Sequence, residues 1–515
     1  LPHKVSKAQA DWTIEHLCKY GDTDIFPYPF ELKFLKDFKD KISDEIAGTD
    51  LHQYNQISAI ESLVPKNRYG FRVAHQLFPI DLLVFSSLVF EAAQQLEQYR
   101  DPAKNSRVFS YRFSPDSEFR LFSADHRFKD WMSRVWALAA FGEDEYSHVI
   151  KTDISDFYQR IYRHRIENIV ETATGSKEIA SLIERFMDSW RGKQSFGIPV
   201  GGNAARILAE AALSDIDQAM ISEGYDFCRY VDDFVIFVKH EQDPDAAIAF
   251  LAGQLFTNEG LGLNNHKTRL FTQKEFFESY EVVNAEDQDA AEEAAVEKLF
   301  WAAYDDDGSN PEAFEMLLQQ DLRGQLEEEI SKDFWDVSHI KVLLRALRLT
   351  KNKDIPKYIR ENLKQFLPFA KDVVLLIDEL GIDGDSTFKD AGDEIVELLL
   401  SERLRPLEAT RAWLLELFVR NRVDISAAQV RRLDALPGTL DARQLCLIRG
   451  AMRDLGYFRQ RKARVDELPV WTQPAFIFAA KCLPREEYRF WLNSIKDRVR
   501  FPLGSQFVSW CRQLN

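Results

Sequence analysis

Two adjacent carboxylates, Asp232 and Asp233, stand in the run Tyr230-Val231-Asp232-Asp233, between the strand-like apolar stretches Tyr225–Tyr230 and Phe234–Val238. Burying an unpaired carboxylate among Phe227, Phe234, Ile236 and Phe237 costs roughly several kcal/mol per ion. A divalent metal against the pair removes that penalty. The competing reading is a hairpin whose two aspartates cap a turn in water, since Asp is a common turn residue. A third carboxylate shifts the balance. His148–Ile154 has strand periodicity and carries Asp153 near its end. Two strands then offer converging carboxylates. Two Mg²⁺ ions about 3.5–4 Å apart use such a site to activate an attacking hydroxyl and to neutralise a triphosphate and its departing pyrophosphate.

Other runs with chemical potential accompany these in a fixed order. Val64-Pro65-Lys66 and Phe71-Arg72 precede Pro79-Ile80-Asp81 and an apolar helix-like stretch, and Val108-Phe109-Ser110-Tyr111-Arg112 follows. Tyr158 lies five residues after Asp153. Gly197-Ile198-Pro199-Val200-Gly201-Gly202-Asn203 feeds the helix-compatible run Ala204–Glu210. Its glycines let backbone approach a ligand closely, and Asn203 is a candidate N-cap. Leu261-Gly262-Leu263-Asn264-Asn265-His266-Lys267-Thr268 comes last.

The ordered series, over roughly residues 50–280, resembles the fingers and palm of reverse transcriptases. That resemblance implies that Asp153, Asp232 and Asp233 are catalytic carboxylates binding two Mg²⁺ ions, with Mn²⁺ as a substitute. It implies that Lys267 is a general acid toward pyrophosphate, the bland alternative being a solvated turn lysine. Tyr158 takes the place of a steric gate against the ribose 2′-OH, which implies dNTP substrates; a packed core tyrosine is the alternative. Lys66, Arg72, Arg112 and Gly201 become candidate nucleotide contacts, arginine because its fork matches phosphate oxygens.

Two departures narrow the resemblance. Val200 stands where reverse transcriptases usually carry Gln, and Ala205-Arg206 where many relatives have Ser-Pro. With Arg206-Ile207-Leu208-Ala209-Glu210 and Val108–Arg112, the chain looks most like the abortive-infection (Abi) and related defence-associated, unknown-group bacterial reverse transcriptases. The likeness implies anti-phage DNA synthesis that is protein-primed and either template-independent or guided by a noncoding RNA. It also implies a single-stranded DNA product attached to a tyrosine and a homo-oligomer, trimer or hexamer. Tyr20, Tyr28 and Tyr54 are the candidate primers near the amino end. Two alternatives stay open: an RNA-templated enzyme of retron or intron type, and a non-catalytic scaffold that binds nucleic acid.

Length and composition accommodate this reading without producing it. The 515 residues, 45% hydrophobic, suffice for two or three cores. No run of about 18 uninterrupted apolar residues suggests a membrane span, and the amino end lacks an apolar signal segment. The five scattered cysteines form neither a zinc pattern nor a disulfide framework. A reducing bacterial cytoplasm is the expected setting. A net charge of −17 argues against indiscriminate duplex binding. Basic clusters in the later half, Lys341-Arg345-Arg348-Lys351-Lys353 and Arg459-Arg461-Lys462-Arg464, read either as solvated helix faces or as a channel for nucleic acid.

Strand alternation gives way to helical spacing after residue 285. Expected helices are Ala290–Tyr304, His339–Leu349, Tyr358–Leu367, Asp390–Leu400, Leu407–Phe418, Ala427–Leu433, Asp441–Met452, Pro474–Cys482 and Glu486–Ile495. The fold class expected is therefore α+β: a reverse-transcriptase fingers–palm domain over 1–285, then an all-α, HEAT-like domain over 286–515 in place of a conventional thumb.

Overall fold

Strands form where β-branched and aromatic residues alternate or run together. The computed structural model, which describes residues 2–21, 25–141, 145–191, 195–281 and 311–514, contains β1 (Ile60–Pro65), β2 (Phe71–Gln76), β3 (Tyr146–Asp153), β4 (Asp226–Tyr230), β5 (Asp233–Lys239) and β6 (Arg269–Thr272). The first two make a hairpin; the others form an antiparallel sheet in the order β4-β5-β3-β6. Central β5 is buried from Phe234 to Val238, as expected of a strand covered on both faces. On one face Val149, Val235 and Phe237 pack with Trp131, Val135 and Ala139 of helix Phe128–Phe141 and with Phe276. Register places Asp153 opposite Asp233 across β3 and β5.

The chain divides into two compact units. One comprises Leu1–Thr23, Phe30–Ala59 and His75–Ala285; the other comprises Asp24–Pro29, Ile60–Ala74 and Glu286–Asn515. Two short segments expected with the palm, one of them most of the β1–β2 hairpin, thus group with the helical residues. Hydrogen bonds explain the grouping: the Trp413 Nε1–H donates to the Ile25 carbonyl at 2.7 Å, and the Ala409 N–H to the Ser62 hydroxyl at 2.9 Å.

Among the described residues the second unit's regular structure is helical apart from this hairpin. Seven of its helices, Leu322–Ser331, Val337–Leu349, Ala370–Ile382, Glu408–Val419, Thr439–Ala451, Thr472–Ala479 and Gly504–Gln513, each pack on the next in that row. Leu343, Leu347, Val373, Leu376, Leu414, Leu417 and Ile448 supply part of the shared core. Helix Ala427–Leu433 has the expected bounds and opens on a capping box between Ser426 and Gln429. The expected helix Tyr358–Leu367 instead runs Ile355–Glu361, with Pro356 in its first turn, and gives way to a turn and a short 3₁₀ segment, Leu367–Phe369. Ala290–Tyr304 lies outside the described residues. No described helix is long and apolar enough to cross a membrane.

Candidate active site

The hairpin between β4 and β5 turns through Val231, which has φ +56°, a left-handed conformation unusual for a β-branched residue. The turn projects Asp232 and Asp233 beside the end of β3. Ligand oxygens of Asp153, Asp232 and Asp233 all lie within 4.8 Å of one another. The Ile154 N–H donates to the Asp232 carbonyl at 3.1 Å and fixes the two strand ends together. Asp153 is 5% exposed, and one of its oxygens accepts from Asn264 Nδ2 at 3.1 Å and faces Lys267 Nζ at 3.1 Å. The Asn264 N–H also donates to the Asp153 carbonyl at 2.7 Å, so the 261–268 loop is bound directly to the carboxylate strand.

Electrostatics follow from this crowding. Burial, then repulsion from Asp153 and Asp233, pushes the Asp232 carboxyl up to about 7. Burial and Asp153 also raise Asp233, against the opposing pull of Lys267 and Lys151. Partial burial alone would lower the Lys267 ammonium; its bond to Asp153 and the fields of Asp233 and Asp232 raise it instead. Three convergent carboxylates lie beside the Lys267 ammonium, and the donor set is all oxygen. That chemistry fits hard divalent cations such as Mg²⁺ or Mn²⁺. Asp153, Asp232 and Asp233 are the residues that would hold them.

Tyr158 follows on the short helix Phe157–Arg160. Burial, then Tyr111, raises its phenol well above the ordinary value, with Arg206, Glu210 and Asp232 also within electrostatic reach. The glycine loop is tied to the same segment, Ile198 N–H to the Tyr158 carbonyl at 3.0 Å and Gly197 N–H to the Ile161 carbonyl at 2.7 Å. Gly197 and Gly201 have φ +88° and +115°, which only glycine adopts readily. Val200 lines a small hollow with His75, Leu77, Leu82 and Phe85.

Several expected roles change. The N-cap of helix Asn203–Ala212 is Gly202; Asn203 lies inside the first turn, where its amide bonds His16 at 2.9 Å and accepts from Arg206 at 2.8 Å. Arg112 is 2% exposed and donates to the Val108 carbonyl, Glu97 and the Asp101 carbonyl at 2.7–2.9 Å. A guanidinium held this way braces its own loop and has no face for a nucleotide. Lys66, exposed at the β1–β2 turn, and Arg72, on β2, belong to the second unit. In that unit most cations of the basic clusters have an acidic partner. Arg345 pairs with Asp372, Arg348 with Glu379, Arg459 and Lys462 with Glu487, and Arg464 with Glu467. Arg461 lies over the Tyr457 ring at 4.2 Å. These contacts match paired helix faces rather than a bare basic channel.

Tyr54 is also redirected, its hydroxyl donating to buried Asp81 at 2.6 Å, and Tyr20 donates to the Glu118 carbonyl at 3.0 Å. Cys228 is buried, and burial pushes its thiol up to about 12, so it packs rather than reacts. Sequence reasoning missed the polar cluster behind the turn: Ser110, Glu210, Asp217 and Arg229, all fully buried or nearly so. Only the presence of Ser110, Glu210 and Arg229 in runs already singled out pointed toward it.

Residues 64–291 match the family described as reverse transcriptase (RNA-dependent DNA polymerase). That stretch includes Asp153, Tyr158, Gly201, Asp232, Asp233 and Lys267. No curated protein matches the chain. Among solved structures, telomerase from Candida albicans in complex with a telomeric RNA fragment is 14% identical, with a TM-score of 0.33, covering 76% of this chain and 69% of that one. Apo telomerase from Candida tropicalis is 12% identical, with a TM-score of 0.33 and 67% coverage of each chain. A form of the latter truncated from the C-terminal domain is 13% identical, with a TM-score of 0.29, covering 47% and 55%. At these scores the likeness carries no argument about function. The family match shows that the chain carries a reverse transcriptase domain, with the RNA-directed DNA polymerase type of nucleotidyltransferase activity.

Proposed function

We propose, with that domain as premise, that the protein builds DNA from dNTPs at Asp153, Asp232 and Asp233 and serves in anti-phage defence, priming on a protein hydroxyl or guided by a bound RNA. The observation that carries the polymerase part is the set of carboxylate oxygens within 4.8 Å on two adjoining strand ends. Two divalent ions bound there would lower the pKa of the attacking hydroxyl and neutralise the triphosphate. The protein's own contribution is to hold three carboxylates at fixed spacing and to keep Tyr158 against the sugar position. Its Lys267 ammonium stands ready to give a proton as the bond from the α-phosphorus to the bridging oxygen breaks and pyrophosphate leaves.

Departure from ordinary templating is supported by Val200. Where a glutamine amide could hydrogen-bond a nucleic acid, this side chain lines a small hollow and offers no donor or acceptor. A priming phenol would present the same attacking oxygen as a sugar 3′-hydroxyl, so the catalytic arrangement is indifferent to which is used. The defence role, the RNA guide, a trimeric or hexameric assembly and a cytoplasmic setting rest on the resemblance of the Val108–Arg112 and Arg206–Glu210 runs.

The test is to incubate the purified protein with Mg²⁺ and labelled dNTPs without primer or template, beside a D232N/D233N double variant, then treat with nuclease and run denaturing gels. Label retained by the wild-type chain and absent from the variant is expected. Label appearing only with a primed RNA template would overturn protein priming and favour templated reverse transcription.

A further inference from the structure

Val231 occupies the one left-handed position in the catalytic turn, and both polar atoms of its backbone are held from behind. Its N–H donates to the Ser110 hydroxyl at 2.8 Å, and its carbonyl accepts from Arg229 Nη1 at 2.7 Å. The Ser110 hydroxyl in turn donates to Glu210, whose other oxygen accepts from the same Arg229 Nη1 at 3.1 Å. The four groups close a ring of hydrogen bonds around a single turn residue. Each of Ser110, Glu210 and Arg229 is 0% exposed.

The ring is itself anchored. Arg229 forks onto both oxygens of Asp217 at 2.8 and 2.6 Å. Arg100 donates to Glu210 at 2.7 Å and to the Ser110 carbonyl at 2.8 Å. Two guanidinium groups thus face two carboxylates, so the cluster is neutral and every charge has a partner. Its members come from the end of helix Pro79–Tyr99, from Val108–Arg112, helix Asn203–Ala212, helix Ser214–Ser222 and β4, and none of their side chains has a part in the nucleotidyl-transfer chemistry described above.

We propose that Ser110 is a positioning residue for catalysis: backed by Glu210 and Arg229, its hydroxyl holds Val231 left-handed and thereby sets where Asp232 and Asp233 point. The proposal rests on the polymerase reading. A β-branched residue released from the clamp has no reason to stay at positive φ, whereas glycine adopts that region freely. The clamp should therefore matter to a valine turn and much less to a glycine turn.

The experiment compares S110T with S110V, nearly the same shape with and without a hydroxyl, each in the wild-type and V231G backgrounds. Three readouts are taken: kcat and KM for dNTP, hydrogen exchange of the β4–β5 turn amides, and urea midpoints. Losing the acceptor of a buried N–H should lower kcat of S110V about tenfold or more relative to S110T, with KM within about twofold. Turn amides should exchange faster in S110V alone. In the V231G background the kcat gap should shrink to about twofold, since coupled positions are non-additive. Equal kcat for S110T and S110V, equal exchange, or a gap unchanged by V231G would each overturn the proposal. Should the wild type make no DNA that depends on Asp232 and Asp233, the polymerase reading fails and the positioning claim falls with it. The exchange comparison still decides whether Ser110 holds the turn.

Discussion

Replacing Lys267 with methionine should move metal affinity and catalysis in opposite directions. The ammonium lies 3.1 Å from an Asp153 oxygen, and the side chain is 56% exposed. At that distance the Coulomb attraction is about 1 kcal/mol in water and about 5 kcal/mol at an effective dielectric of 20. With more than half of the side chain in solvent, the lower figure applies. An ion binding Asp153 competes with this lysine. K267M should thus bind Mn²⁺ up to about tenfold more tightly, because ~1.4 kcal/mol is a factor of ten. Loss of a general acid should meanwhile lower the rate of nucleotide incorporation by about 10²–10⁴. Paramagnetic titration with Mn²⁺ and rapid-quench incorporation on the same preparations give the two numbers. Weaker Mn²⁺ binding in K267M would show that the lysine supports the site instead of competing for it. Tighter binding with an unchanged incorporation rate would remove Lys267 from the chemistry.

Tyr158→Ala should raise the ratio of rNTP to dNTP incorporation about 10–200-fold, equivalent to removing about 1–3 kcal/mol of steric discrimination; an unchanged ratio in competition assays would show that the ring is only packing. Asp81 is 0% exposed, and burial pushes its carboxyl up to about 7 despite bonds from the Tyr54 hydroxyl and the Ile57 N–H. The folded chain keeps that proton where the unfolded chain has already lost it, so stability should fall as pH rises from about 4 to about 7 and level off above. Urea midpoints across that range should show the fall in the wild type and a flatter profile in D81N. In the helical unit Arg411 forks onto Asp441 at 2.7–3.0 Å with both side chains at most 1% exposed. R411M should cost about 3–5 kcal/mol by leaving a buried carboxylate unpaired, and R411M/D441L should recover much of it; a single variant with the wild-type urea midpoint would contradict this.

What could be read in the chain, and what could not, divides by the range of the interactions involved. Asp153, Asp232 and Asp233 were legible because strand register is local: alternation in His148–Ile154 and Phe234–Val238 fixes which residues reach a strand end, and the hairpin pairs Tyr230 with Asp233. The helical second half was visible in outline for the same reason, since a stripe at helical spacing belongs to its own segment. Helix Ala370–Ile382 was missed because Val373, Val374, Leu376, Ile377 and Leu380 are all buried, leaving little polar contrast to mark its period.

Arginine defeats this kind of reading because its partner is chosen by the fold, not by the neighbouring residues. Arg112, singled out as a phosphate contact, meets Glu97 fifteen positions away, and Arg229, passed over, meets Asp217 and Glu210 at separations of twelve and nineteen. Both sit in runs that look alike in sequence, a cation with aromatic residues within two positions on either side. Burial is what separates a bracing guanidinium from a binding one, and burial here depends on helices that sequence places only approximately. The same argument applies to Arg459 and Lys462, whose shared partner Glu487 lies on a different helix. A net charge of −17 supplies enough carboxylates for most such pairs to form. In an acidic chain, a basic cluster is therefore weak ground for a nucleic-acid surface until its partners are known.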